Sequence, residues 1–249
     1  KISTGKAENK FGLSIKNFKS FYKSIKKYKN INLDALSVHI GSQILSDVPY
    51  KKMLNVMSNL IKELKLNLKF LDLGGGFGIR YNKKDKPINL KKYSDSVYNL
   101  AKKLKCKIIF EPGRSIIGDT GILLSKIQYI KKGVKKDFII IDAGMNDFMR
   151  PALYDAVHRI IPTKKSKSKL KGTIEFVGPI CESTCKFGSY KNYQKMREND
   201  FVAITNVGAY GSSLSSNYNS RPLIAELLVD KNKIKYIRKK QNLLKLINS

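Results

Sequence analysis

The stretch FLDLGGGFGIRY, Phe70–Tyr81, decides the fold. A short apolar run ends in three consecutive glycines, followed by a phenylalanine and a fourth glycine. Glycine has more backbone freedom to lose on folding than any other residue, so a triplet indicates that something must approach the backbone closely. Bare backbone N–H groups form a concave site for an anion, most often a phosphate. Taken alone, a tight turn explains these glycines equally well.

Two further apolar runs resemble Phe70–Leu73, and each ends in a turn that contains glycine. They are Ala35–Ile40 and Ile108–Phe110. Helical patterns lie before and between the three runs, with apolar residues three or four positions apart. The helical positions are Ile15, Phe18, Tyr22 and Ile25, then Met53, Met57, Leu60 and Leu64, then Leu90, Tyr93, Val97, Leu100 and Leu104. This spacing predicts β/α units with parallel strands that are buried on both faces.

After Gly118 the pattern changes to short apolar runs with little helix between them. The predicted strands are Leu123–Ile130, Phe138–Ile141, Thr173–Val177, Phe201–Thr205, Leu223–Val229 and Ile234–Ile237. The sequence therefore predicts two domains, residues 1–118 with β/α units and residues 119–249 with a β-rich fold. Three β/α units cannot close a (β/α)8 barrel. We expect residues 1–118 to be the C-terminal part of such a barrel, with the other units preceding Lys1.

Composition limits the possible functions. The 249 residues are 42% hydrophobic and include three cysteines, and no apolar run approaches the roughly 18 residues that suggest a membrane span. An odd, small number of cysteines favours reduced thiols and a cytoplasmic location. The net charge is +30, but lysines are spread along the whole chain, so we expect no nucleic-acid site. The cluster KKSKSKLK, Lys164–Lys171, is interpreted as a solvated loop.

Polar motifs follow each of the three predicted barrel strands, where a barrel keeps its chemistry. They are His39–Gln43, Gly74–Gly78 and Glu111–Arg114. A flat cofactor with a phosphate needs such parts, because an imidazole can stack on a ring and a carboxylate can hold a ring nitrogen protonated. Considered alone, His39 is better explained as a packed core histidine.

Six motifs occur in order along the chain: HIGSQ, LDLGGGFGI, EPGRS, DAGMNDFMRPALYDAVH, GPICES and GAYGSSLSSNYNSRP. Together they resemble the pyridoxal-phosphate-dependent diaminopimelate decarboxylases. These enzymes belong to the alanine-racemase-like group, fold type III, with ornithine and arginine decarboxylases as relatives. The resemblance extends from Thr4-Gly5 to about Asp230. It implies the fold already predicted, the C-terminal part of a barrel followed by a β-rich domain.

The resemblance also implies how pyridoxal phosphate is bound. The glycine triplet would hold the phosphate, with hydroxyls from Ser42 and Tyr210. The His39 ring would stack on the pyridine, and Glu111 would pair with its nitrogen. The cofactor-binding residues implied are His39, Ser42, Gly74, Gly75, Gly76, Glu111, Pro112, Gly113, Arg114 and Tyr210.

The substrate-binding residues implied are Arg114, Arg150, Tyr154, Glu182 and Tyr210. The arginines would bind the distal carboxylate of meso-diaminopimelate, because the planar guanidinium holds a carboxylate through two hydrogen bonds. Glu182 would bind the distal ammonium, and Cys181 would be the catalytic general acid. Both would reach the active site of the partner subunit in a homodimer. Without the motifs, Cys181 is better explained as a small buried apolar residue. A surface ion pair is the alternative for Arg150, but the low-charge run Ala143–Leu153 around it does not favour that alternative.

Two departures from the family pattern accompany the resemblance. Cys185 stands where an acidic residue is common, and the lysine that anchors the cofactor belongs to a first barrel strand upstream of the matched region. We therefore expect the chain alone to be inactive. No metal site is expected at Cys181 and Cys185, because His39 and His158 are the chain's two histidines.

The resemblance implies release of CO2 from meso-diaminopimelate to give L-lysine. Two alternatives remain open at this stage. One is another fold type III decarboxylase, acting on ornithine, arginine or a carboxynorspermidine-like substrate. The other is a non-catalytic basic binding or regulatory module.

Overall fold

The computed structural model describes residues 10–248. Thr4 and Gly5, at the start of the resemblance, lie outside the described residues. The chain divides into two compact units, Lys1–Ile116 and Ile117–Ser249.

The first unit contains three β/α repeats. Its helices and strands are α1 (Ile15–Ile25), β1 (Ala35–Ser37), α2 (Val48–Glu63), β2 (Phe70–Asp72), α3 (Leu90–Leu104) and β3 (Lys107–Ile109). The strands form a parallel sheet in the order β1-β2-β3. Each strand begins within one residue of its predicted run, so the predicted parallel β/α arrangement is confirmed.

Local signals explain where the helices begin. The Ser14 side chain accepts a hydrogen bond from the Asn17 N–H at the start of α1, and Asn89 does the same for Lys92 N–H in α3. Helix α2 has a proline in its first turn, where the missing N–H costs nothing. The helices α2 and α3 bury one face each, and their apolar side chains form the core of the unit together with Leu71 and Leu73.

The expectation that the strands are buried on both faces is wrong for this chain. In β1 only the central residue is buried, and Phe70 and Ile109 are exposed. The buried face, with Leu71, packs on the same core cluster as α2 and α3. No element among residues 10–116 covers the opposite face.

The second unit is β-rich, as predicted. Its strands are β4 (Ile122–Lys131), β5 (Asp137–Ile141), β6 (Ile160–Pro162), β7 (Thr173–Val177), β8 (Lys186–Lys191), β9 (Phe201–Thr205), β10 (Glu226–Asp230) and β11 (Lys233–Arg238). Six of them form a sheet in the order β6-β9-β4-β5-β7-β8, in which only the β5–β7 pair is parallel. The strands β10 and β11 form an antiparallel hairpin. Short helices are α4 (Arg114–Ile117), at the junction of the two units, α5 (Arg150–Tyr154) and α6 (Leu243–Ile247).

The core of the second unit is formed by side chains of the six-stranded sheet. Its fully buried members are Ile127, Ile139, Ile141, Ile174, Phe176, Val202 and Ile204. The sequence pattern missed the edge strands β6 and β8. The lysine-rich run 164–171 lies in an exposed loop between β6 and β7, as the solvated-loop interpretation predicts.

Candidate active site

The glycine loop after β2 is tied to the loops that follow β1 and β3. The Gly74 N–H donates to Asp72 Oδ1 at 2.8 Å, and the Gly75 N–H donates to His39 Nδ1 at 3.3 Å. The carbonyl of Gly74 accepts from the Glu111 N–H at 2.9 Å. These bonds bring the three predicted strand-end motifs together at one edge of the sheet.

The same loop has no room for side chains. A Cβ on Gly75 would overlap the carbonyl oxygen of Glu111, and a Cβ on Gly76 would overlap the carbonyl oxygen of Gly41. Gly76 also has a φ of +87°, which L side chains rarely adopt. Neighbouring backbone is therefore a sufficient reason for these two glycines. Within residues 10–248, the Gly76 N–H donates to no group, so it is the N–H of the triplet that remains for a ligand.

His39 is not the packed core histidine that a reading of the residue in isolation favours. Its side chain is exposed, and the bond from the Gly75 N–H holds the ring beside the glycine loop. The carboxylate of Glu111 is exposed as well, Pro112 is half-buried, and the position of a Cβ on Gly113 is open. The imidazole and the carboxylate thus stand on opposite sides of the glycine loop, on the loops after β1 and β3.

Arg114 is 5% exposed and belongs to a cluster at the start of α4. Its Nη1 donates to the Tyr81 hydroxyl at 2.5 Å, and its Nη2 donates to Ser42 Oγ at 3.2 Å. The guanidinium carbon also lies 5.7 Å from the centre of the Tyr81 ring. Sequence reasoning missed Tyr81, although it follows the glycine loop directly in the motif GFGIRY. Ser42 and Arg114, which the sequence analysis assigns to one site, are in direct contact.

Arg150 is a buried cation of the second unit. It is 4% exposed at the start of α5, and its guanidinium carbon lies 6.0 Å from the Tyr154 ring centre and 5.8 Å from the Tyr210 ring centre. Arg150 is therefore buried and does not lie on the surface. Three of the predicted substrate-binding residues are brought together here. Tyr210 also has a φ of 60°, an uncommon conformation for a bulky residue that often marks a functional site.

The Arg150 Nε is paired with a histidine that the sequence analysis did not assign to the site. It donates to His158 Nε2 at 3.3 Å, and His158 Nδ1 lies 2.9 Å from the Thr205 carbonyl oxygen. A guanidinium next to tyrosine rings can bind a ligand carboxylate.

Cys181 and Glu182 are both exposed, so the interpretation of Cys181 as a buried apolar residue is wrong. Their side chains bond to the 3-10 helix Tyr218–Ser220. The Tyr218 hydroxyl donates to Glu182 Oε1 at 2.6 Å, and the Asn219 amide lies 3.6 Å from Cys181 Sγ. The bond to Glu182 is also the main reason that the pKa of Tyr218 is raised.

An ion pair between buried Asp147 and partly exposed Arg221 supports the loop that leads into Arg150. Asp147 Oδ2 accepts from the Gly144 N–H at 2.8 Å and lies 3.7 Å from Arg221 Nη2. Burial raises the pKa of Asp147, although the hydrogen bond and Arg221 oppose that effect. Arg221 Nη2 also donates to the Asp142 carbonyl at 2.8 Å. The loop before Arg150 and the segment after Asn219 are thus joined by one network, which sequence reasoning also missed.

Other kinds of site have little support in the described residues. The part of the chain that the structure describes contains no group of three or more His, Cys, Asp or Glu side chains placed to hold a metal ion. Cys185, at the position that is commonly acidic in the family, is buried, and its sulfur accepts from the Met145 N–H at 3.4 Å. Among residues 10–248, no helix has the length and apolar character that crossing a membrane requires.

Comparisons with known proteins identify the proteins that the chain resembles. Residues 1–118 match the family model described as "Pyridoxal-dependent decarboxylase, pyridoxal binding domain". Across 97% of the chain, the sequence is 39% identical to diaminopimelate decarboxylase of Aquifex aeolicus and 40% identical to that of Helicobacter pylori. The crystal structure of the Helicobacter pylori enzyme complexed with L-lysine covers 99% of the chain, with a TM-score of 0.88 and 38% identity.

The chain spans 58% and 60% of the length of the Aquifex aeolicus and Helicobacter pylori enzymes, and 62% of the chain in the solved structure. The similarity continues through both units, so the predicted combination of a partial barrel and a β-rich domain is confirmed. Residues 1–118 are thus similar to the pyridoxal-binding domain of pyridoxal-dependent decarboxylases, and the proteins that the whole chain resembles in sequence and structure are diaminopimelate decarboxylases.

Proposed function

We propose that the protein containing this chain decarboxylates meso-diaminopimelate to L-lysine with pyridoxal phosphate as cofactor. The observation that carries the proposal is Arg150. A guanidinium that is 4% exposed and flanked by two tyrosine rings is held in a fixed environment, and its planar fork can bind a ligand carboxylate through two hydrogen bonds. The relatives that match across both units are named for the corresponding substrate.

The residues of the first unit fit the cofactor. The cofactor phosphate would accept a hydrogen bond from the Gly76 N–H, because the N–H groups of Gly74 and Gly75 already donate to Asp72 and His39. The exposed His39 ring is held in place for stacking, and the exposed Glu111 carboxylate would pair with the pyridine nitrogen. Ser42, Pro112, Gly113 and Arg114 belong to the same strand-end loops, and Tyr210 of the second unit would add a hydroxyl. When bound, pyridoxal phosphate supplies the electron sink that stabilises negative charge on the substrate carbon.

The remaining assignments concern the substrate. Arg114 and Arg150 would bind its distal carboxylate, with Tyr154 and Tyr210 beside them. Glu182, whose carboxylate is already oriented by the Tyr218 hydroxyl, would accept the distal ammonium. Cys181 would hold the proton that is delivered to the substrate carbon, the task of a general acid.

A homodimer and a cytoplasmic location are part of the proposal. Exposure of both Cys181 and Glu182 supports a role for them in the active site of a partner subunit. The three free thiols support a reducing compartment, because disulfides are rare in the cytosol. The proposal also divides the chain at residue 118 into a barrel part and a β-rich part. The boundary between the two compact units, which falls between residues 116 and 117, supports this division.

The test compares Arg150→Ala with Arg159→Ala in protein expressed from the complete gene. Arg159 is an exposed arginine of the same unit, so it controls for the loss of one positive charge. Removing one partner of a buried charged pair costs about 3–5 kcal/mol. The lower value corresponds to about a hundredfold in kcat/KM. We expect that loss for Arg150→Ala with unchanged cofactor absorbance, and near wild-type activity for Arg159→Ala. Equal activity of the two variants would disprove the role of Arg150.

A further inference from the structure

His158 is a buried titratable residue to which the proposed function gives no role. It is 1% exposed, and it follows the end of α5 by four residues. Its Nε2 accepts a hydrogen bond from Arg150 Nε at 3.3 Å. A histidine next to a buried arginine is unfavourable if both are charged, so its protonation state determines whether this contact can exist.

The second contact of the ring fixes that state. His158 Nδ1 lies 2.9 Å from the carbonyl oxygen of Thr205, which can only accept a hydrogen bond. The Nδ1 atom therefore carries the proton. The Arg150 guanidinium is always protonated and can only donate, so Nε2 must present its lone pair. The neutral tautomer with hydrogen on Nδ1 is the one state that satisfies both partners.

The imidazole ring is also held in place by its surroundings. Phe148 packs edge-on against it, with 4.7 Å between ring centres and an interplanar angle of 84°. The His158 carbonyl accepts from the Tyr190 hydroxyl at 3.1 Å, and the Thr205 N–H donates to the Arg159 carbonyl at 2.9 Å. Because these contacts fix the His158 ring, its hydrogen bond with Arg150 also fixes the orientation of the guanidinium.

We propose that His158 is a positioning residue that holds the Arg150 guanidinium in the orientation in which it binds a ligand carboxylate. The inference rests on the proposed function, because it takes Arg150 as a carboxylate-binding residue. The hydrogen bond to His158 occupies Nε, so the carboxylate meets the Nη1 and Nη2 end of the guanidinium. Fixing a long side chain before the ligand arrives reduces the entropy that is lost on binding.

The first experiment observes the ring without any measurement of activity. A long-range ¹H–¹⁵N correlation spectrum of protein with ¹⁵N-labelled histidine, expressed from the complete gene, distinguishes protonated from unprotonated ring nitrogens. The His158 signals are those that disappear in His158→Gln. We expect Nδ1 protonated and Nε2 unprotonated at neutral pH. A ring protonated at Nε2, alone or together with Nδ1, would overturn the inference.

The second experiment separates positioning from a purely structural role. His158→Leu removes both ring contacts, whereas His158→Gln retains one donor and one acceptor. We expect the KM for meso-diaminopimelate to rise at least tenfold in the Leu variant with a smaller change in kcat, and to recover most of the way in the Gln variant. Cofactor absorbance should be unchanged in both. If the Leu variant does not fold, the Gln variant is compared with His158→Asn, in which the shorter side chain cannot reach both partners.

The reference for these variants is Arg150→Ala. In that background His158→Gln and His158→Leu should have no further effect on KM, because the group that the histidine positions is gone. If the increases in KM from the Arg150 and His158 substitutions were additive in the double variants, the inference would be overturned. It would also be overturned if Arg150→Ala raised KM while both His158 variants kept the wild-type KM. A wild-type KM for Arg150→Ala itself would instead refute the proposed function, and the ring spectrum would still report the His158 tautomer.

Discussion

Replacing Gly75 with alanine would place a methyl group against the carbonyl oxygen of Glu111. The obstacle is backbone, so it cannot rotate away as a flexible side chain would. The Glu111 N–H donates to the Gly74 carbonyl at 2.9 Å, and the Leu73 N–H donates to the Ile109 carbonyl at 3.0 Å. The loops after β2 and β3 therefore cannot separate without weakening hydrogen bonds.

The expected cost follows from these contacts. Overpacking costs about 1–3 kcal/mol, and weakening one hydrogen bond adds about 1 kcal/mol. The free energy of unfolding of ligand-free Gly75→Ala should therefore fall by about 2–4 kcal/mol, as measured by urea unfolding. Gly113→Ala is the matched control, because a Cβ at Gly113 has no neighbour within 4 Å. If glycine at position 75 served only a bound phosphate, the two ligand-free variants would be equally stable, and that result would refute this explanation of the loop.

Three further predictions concern the tyrosines, the thiols and the net charge. Burial raises the pKa of the Tyr50 hydroxyl, and it raises the pKa of the Tyr93 hydroxyl to about 12. The two neutral side chains therefore stabilise the folded protein fully below pH 10, and this stabilisation is lost as the pH rises towards the pKa values of the folded state. In an ultraviolet titration, their ionisation should coincide with unfolding above pH 10; ionisation near pH 10 in folded protein would contradict this. Iodoacetamide should modify exposed Cys181 before buried Cys185 and before half-buried Cys106, whose thiol pKa is raised by burial. Peptide mapping measures this order, and modification of Cys185 first would contradict the structure. Binding to nucleic acid should be weak and decline steeply with salt, whereas sequence-selective binding at physiological salt would favour a basic binding module.

Within the six-stranded sheet, the sequence predicted the four interior strands but not the two edge strands. Interior strands such as β5 and β9 need apolar side chains over most of their length, so the sequence shows each of them as an apolar run. The edge strands β6 and β8 pair on one side only. Pro162 is tolerated at such an edge, and the lysines at both ends of β8 are typical of an edge that must not pair further. Their sequences therefore lack the apolar pattern that identifies a strand.

The candidate site was predictable in its residue types but not in its supporting contacts. The motifs place His39, Glu111 and Arg114 at loops that the parallel sheet of the first unit brings together, and they place Arg150 at the start of α5 in the second unit. Tyr81 and His158 were missed because each contacts an arginine that is distant in sequence or lies across a turn, and no spacing rule relates such partners. The reason for glycine at position 75 also depends on a backbone carbonyl of another loop, which only the three-dimensional structure reveals.

The choice of substrate tests the central claim most directly. Protein expressed from the complete gene and supplied with pyridoxal phosphate is offered meso-diaminopimelate or ornithine, and CO2 release and L-lysine formation are measured. Ornithine lacks the distal carboxylate that we propose Arg114 and Arg150 bind, and the loss of one partner of a buried charged pair costs about 3–5 kcal/mol. The account predicts a kcat/KM for meso-diaminopimelate at least about a hundredfold above that for ornithine, with L-lysine as product. Equal kcat/KM values for the two substrates would contradict it.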